Sequence, residues 1–146
     1  MRGPVDEVDA LQRTLAGEHA AVYVLSALGG RASTLAAPAL RAALDTAYDV
    51  HVQRRDQLRG MVAAAGATPV AASPAYRLPG PLTGAGQIEA RALAVQRACA
   101  ATYAALVAAT SGADRRWALD ALVATAVAET DVGGRPQALP GIGTST

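Results

Sequence analysis

The chain holds two histidines, His19 and His51, and one cysteine, Cys99. Glu18 is a carboxylate set in an apolar register, between Leu15 and Val22. A carboxylate on one helix facing an imidazole on another can do one of two things. It can ligate a divalent cation, as carboxylate and imidazole donors do together. Or it can form a buried pair, because a charge left alone in an apolar interior is costly. Gln96 stands where a third helix would add a donor, although an amide is an uncharged and weak ligand. The candidate metal ligands are therefore Glu18, His51 and Gln96, which with water would hold a divalent metal weakly. The competing arrangement uses Arg54 or Arg55, one turn beyond His51, whose planar forks suit a buried carboxylate. A Glu18–Arg–His51 cluster would then be completed by the hydroxyl of Tyr23 or Tyr48. Cys99 falls in a core register, where an inert buried thiol is expected. Trp117 is expected to anchor the core or an interface.

These residues need helices to bring them together. Pro4 opens a pattern in which Leu11, Leu15, Glu18, Val22 and Leu25 recur at steps of three and four, and Gly29-Gly30 is expected to end it. A second helix is predicted from about Pro38 to Ala65, with Leu40, Leu44, Ala47, His51, Arg54 or Arg55, Leu58 and Val62 on one stripe and Gly66 as its stop. Pro69, Pro74, Pro79 and Pro81 keep residues 66 to 86 out of helix. The third helix is predicted from about Gln87 to Thr110. Ile88, Ala92, Val95, Cys99, Thr102 and Leu106 form its stripe, beside a face of Glu89, Leu93, Gln96, Ala100 and Tyr103. Asp114 is read as the N-cap of a fourth helix that directs Trp117, Leu119, Leu122 and Ala126 inward. Gly133-Gly134 and Pro136 end it, and residues 137–146 are read as an irregular tail.

Two helical hairpins joined by a connection of some twenty residues give an all-α four-helix bundle. Its third helix would run parallel to the second, with the long connection as the crossover. The 146 residues are read as one domain. About a quarter are alanine, and phenylalanine is absent, which favours closely packed helices over sheet. All 13 basic residues are arginine and the net charge is only +1. That balance supplies no field for nucleic acid or an anionic membrane. The Arg54-Arg55 and Arg115-Arg116 pairs lack interleaved aromatics, so nucleic-acid binding is not expected. The glycines between Gly80 and Gly86 follow no strand and are not a phosphate loop. The charge-free runs at 60–76 and 98–113 are too short and too poor in large apolar residues for a membrane span. With no leader pattern and a single cysteine, a cytoplasmic protein without disulfides is expected.

Four segments resemble a known family. They are Leu15-Ala16-Gly17-Glu18-His19-Ala20-Ala21-Val22-Tyr23, His51-Val52-Gln53-Arg54-Arg55-Asp56, Gly66-Ala67-Thr68-Pro69 with Ala75-Tyr76-Arg77-Leu78-Pro79, and Ala98-Cys99-Ala100-Ala101-Thr102-Tyr103. In this order they resemble the alanine-rich ferritin-like domains of unknown function found mainly in actinobacteria. The resemblance implies a ferritin-like bundle that commonly forms homodimers, and it carries no established activity.

A di-iron carboxylate centre in such a bundle needs a Glu from two helices and Glu-x-x-His from each of the other two. Here Glu18 and His51 fit, but Tyr48 stands three residues before His51, Gln96 replaces a third-helix carboxylate, and the fourth helix has no histidine. Glu129 lies on that helix's inner stripe but near its end. The sequence therefore reads as a non-enzymatic bundle whose di-iron site is lost, with no cofactor expected. A metal-binding protein or degenerate oxidase using Glu18 and His51 is the competing reading. A module holding a small ligand between the helices is a third. Val24, Leu28, Leu35 and Val50, outside the inner stripes, are the expected dimer patch on helices one and two.

Overall fold

In the computed structural model, four helices follow in chain order: α1 (Pro4–Thr34), α2 (Pro38–Ala64), α3 (Ala85–Ala109) and α4 (Gly112–Thr130). The described residues are 4–78 and 80–143, with side chains omitted for Pro4, Val5 and Thr34. Pro79, one of the four helix-excluding prolines, and the tail end 144–146 lie outside them. Among the described residues there is no strand. α1 packs on α2 and α3, and α3 packs on α4.

The core divides between two ends. One end gathers Leu25, Leu28 and Ala32 of α1, Leu40 and Leu44 of α2, Ile88 and Ala92 of α3, and Val132 just past α4. The other gathers Ala10, Leu11 and Leu15 of α1, Leu58 and Val62 of α2, Leu106 of α3 and Ala118 of α4. Between them, Ala21, Cys99, Tyr103 and Ala121 bury the middle. Small residues let the helices approach closely there; a Cβ on Gly17 would lie 3.6 Å from Thr102 Cγ2 across the α1–α3 contact.

Several expectations need correction. α1 does not stop at Gly29-Gly30 but runs to Thr34. Two helical glycines cost about 1 kcal/mol each, and burial of Ala32 beyond them works against this cost. α3 begins two residues early, at Ala85, because the Gln87 side-chain oxygen accepts the backbone N–H groups of Thr83 and Gly84. α4 starts at Gly112 with Ser111 as its N-cap, not Asp114. Its inward stripe is Ala118, Ala121, Thr125 and Glu129, while Leu119 is exposed. Leu28, one of the four residues of the expected patch, is fully buried in the bundle, while Val24, Leu35 and Val50 are half-buried. α3 is long and apolar enough to cross a bilayer by length and composition, which the shorter charge-free runs did not suggest. Here its buried face packs on α1 and α4.

After α2, residues 66–78 are held down rather than looped out. Gly66, at φ +81°, turns the chain after α2, and Ala67 N–H returns to Val62 O at 3.1 Å. Gln12 of α1 grips the segment twice, donating to Thr68 O at 2.7 Å and accepting from Val70 N–H at 2.9 Å. His19 donates to Val70 O at 3.0 Å. Tyr76 lies against Tyr23 with ring centroids 5.2 Å apart, and Leu78 packs on the first core cluster. The tail after α4 also packs: Gly141, at φ +74°, lies so close to α3 that a Cβ there would sit 2.3 Å from Ala100 O.

Candidate functional site

Glu18, His51 and Gln96 meet in the interior, one from each of α1, α2 and α3. His51 Nδ1 donates to Glu18 Oε2 at 2.6 Å. His51 Nε2 stands 3.2 Å from Gln96 Oε1. The other Glu18 oxygen, Oε1, accepts a hydrogen bond from the Tyr103 hydroxyl. Tyr103 in turn accepts from Arg54 Nη1 at 3.2 Å. Arg54 then reaches α4, donating from Nη1 to Thr125 Oγ1 at 2.8 Å and from Nη2 to Ala121 O at 3.3 Å. Its guanidinium carbon lies 5.1 Å from the Tyr103 ring centroid. Six buried polar side chains thus form one chain of hydrogen bonds through all four helices.

The sequence placed Glu18, His51, Gln96 and Arg54 correctly on inner faces. It missed how they are joined. Arg54 meets Glu18 through Tyr103, not directly, and Arg55 turns outward to Asp56. Beside that guanidinium the exposed Asp56 carboxyl is held below the usual carboxylate value. Tyr23 and Tyr48 are largely exposed and take no part. The hydroxyl comes from Tyr103, which stood on the second inward face of the third helix. Thr125 was missed because a threonine among alanines reads as filler.

Burial sets the electrostatics. It pushes the Tyr103 phenol far above its ordinary range, and the Glu18 charge adds to this. The Cys99 thiol is likewise raised well above its usual value, first by burial and then by Glu18. Both groups remain protonated at neutral pH, so Cys99 is an unreactive thiol and Tyr103 a permanent donor. Trp117, half-buried, sets its ring edge-on to Tyr103 at 6.0 Å and donates to Gln57 at 2.8 Å.

Tyr48, not a carboxylate, stands three residues before His51, and both histidines of the chain, His19 and His51, lie on α1 and α2. Cys99 sulfur does lie with Glu18 and His51 in a group whose ligand atoms are all within 4.8 Å of one another. Two donors bound to one cation at about 2.0–2.2 Å, and at right angles or wider, stand about 2.9 Å apart or more. The 2.6 Å spacing of Glu18 and His51 is instead that of a charge-assisted hydrogen bond. Glu129, buried one turn beyond Thr125, lies outside this group. Arg97 approaches one of its oxygens at 3.6 Å, and the other has no hydrogen-bond partner.

Fold and site together define an all-helical bundle with a polar network at its centre. The chain belongs to the family described as Domain of unknown function (DUF4439), which matches residues 10–144. It is similar to a solved structure of a conserved hypothetical protein, rv2844, from Mycobacterium tuberculosis. The two are 29% identical with a TM-score of 0.79, over 88% of this chain and 95% of that one. No curated protein matches the chain.

Proposed function

We propose that the protein is a ferritin-like bundle without enzymatic activity, in which a hydrogen-bonded network occupies the place of a lost di-iron centre. The two end clusters support this architecture. α1 leaves the end at which α2 finishes, and α2 and α3 begin at the same end. α2 and α3 are then parallel, and residues 65–84 make the crossover expected of ferritin-like bundles. The observation that carries the functional reading is the mutual saturation of the donors. Both oxygens of Glu18 and both ring nitrogens of His51 are already taken, by each other, Tyr103 and Gln96. A cation entering here would have to break charge-assisted hydrogen bonds among buried groups. We further propose that the chain is cytoplasmic and acts as a homodimer.

The metal-binding reading keeps one observation in its favour, the nearness of the Cys99 sulfur to Glu18 and His51. One measurement separates the two. The protein is expressed in medium supplemented with iron, manganese and zinc, purified without chelator, and its metal content measured. The expected result is well below one equivalent of any metal. A stoichiometric metal that is lost in Glu18→Ala and in His51→Ala overturns the network reading.

A further inference from the structure

α2 and α4 are neighbours that hardly pack. Their link at the middle of the molecule is Arg54, which crosses from α2 to the Ala121 carbonyl and the Thr125 hydroxyl of α4. Toward the start of α2 a slot of about 400 Å³ opens between the two helices. That volume is in the range of roughly 300–1,000 Å³ typical of small-molecule sites. Its sides are mostly aliphatic, with Ala42, Ala43 and Ala47 on α2 facing Ala124 and Ala128 on α4, while Thr46 and, beside Arg54, His51 and Gln96 of the network add polar lining. From Ala39, at the mouth, to Arg54 the slot follows α2 for roughly 22 Å at about 1.5 Å per residue.

The deep end is cationic. Arg54 lines the slot and is only 9% exposed. Of the five N–H donors of a guanidinium, three reach acceptors, and all three acceptors are neutral oxygens. The remaining two, Nε–H among them, meet no acceptor among the described residues. The nearby carboxylate, Glu18, is committed to His51 and Tyr103. A buried guanidinium with free donors at the end of an aliphatic slot suits an anionic head on an apolar tail. Polarity along the slot agrees: Asp131, where α4 ends, lines the opposite region and would repel a carboxylate there.

We propose that this slot is a binding site for a linear aliphatic monocarboxylate, its head on Arg54 and its chain between the alanines of α2 and α4. The site requires no metal, and it gives the bundle a ligand class that the polar network alone does not specify.

The test uses octanoate and octan-1-ol as probes on the full chain, with binding measured by calorimetry and by thermal shift. Octanoate is expected to bind saturably and at least about tenfold more tightly than octan-1-ol, as one charge-assisted hydrogen-bonded contact provides. Ala42→Leu and Ala124→Leu fill the slot from opposite walls. Both positions are exposed, so both variants keep the fold. Each is expected to abolish octanoate binding while leaving the far-ultraviolet circular dichroism spectrum unchanged. No octanoate binding, equal binding of the alcohol, or binding that survives both substitutions overturns the proposal.

Discussion

Tyr103 shows how a single residue decides whether the buried centre is satisfied. Its hydroxyl donates to Glu18 and accepts from Arg54, so it passes the influence of a cation on α2 to a carboxylate on α1. Tyr103→Phe keeps the ring, its contact with Trp117 and its packing, but leaves one carboxylate oxygen and one guanidinium donor short of a partner. A loss of about 2 kcal/mol in unfolding free energy is expected from denaturant titration. Glu18→Ala strips His51 and Tyr103 of their acceptor together and should cost more, on the order of 3 kcal/mol. An unchanged midpoint in either variant would contradict the network. The raised Tyr103 and Cys99 groups also set an alkaline limit. Both are protonated in the folded chain at pH values where the unfolded chain loses the proton. Stability is therefore fully present below about pH 8.5, and it falls as pH rises past the unfolded values of about 8.5 for Cys and about 10 for Tyr. Melting temperature should decline over that range, and Tyr103→Phe should flatten the part above pH 10. At this scale the sequence was readable where a polar residue interrupts an apolar stripe, as Glu18, His51 and Arg54 do. It was unreadable where a polar residue on a second inward face could equally have met solvent, as Tyr103 could.

Helices announced their faces better than their ends. Of the α2 stripe, Leu40, Leu44, His51, Arg54, Leu58 and Val62 are buried as the spacing required, and Ala47 is half-buried. The end of α1 was misplaced because the two glycines are a local signal, and burial of Ala32 on the far side of them is a tertiary one. The α4 stripe was misjudged for a related reason. Leu119 carries more apolar surface than Ala118, but it is Ala118 that faces the core formed by α1, α2 and α3. The 65–84 connection was legible as non-helical from its prolines. Its attachment was not, because Gln12 and His19 read as ordinary polar positions on α1. Gln12 alone fixes Thr68 and Val70 through two hydrogen bonds. Gln12→Ala should therefore leave helicity intact yet speed proteolytic cleavage between Gly66 and Gly84 several-fold, since local opening governs such cleavage. Equal cleavage rates in the two proteins would show that Tyr76 and Leu78 hold the segment without Gln12.

Across the whole molecule, the distribution of apolar surface constrains how two copies could pair. Of the residues that suggested a patch on α1 and α2, Leu28 is in the core, Val24 and Leu35 pack against it, and Val50 is half-buried beside the α2–α4 slot. α4 is different. Leu119, Val123 and Val127 are 43%, 62% and 63% exposed and recur every fourth residue, so they share one side of the helix. A two-fold axis beside α4 would set this stripe against its own copy and bury it on both subunits at once. A homodimer is accordingly expected to use α4 rather than the first hairpin. Sedimentation equilibrium at micromolar concentration should give a mass near twice the 14.7 kDa of the chain. Val123→Glu places a charge in the middle of the stripe, where two copies would set like charges together in an apolar contact. Because Val123 is exposed, the substitution leaves the bundle intact, and the mass should fall to that of one chain with circular dichroism unchanged. A mass near 14.7 kDa for the unsubstituted protein, or a dimer indifferent to Val123→Glu, would remove α4 as the pairing face.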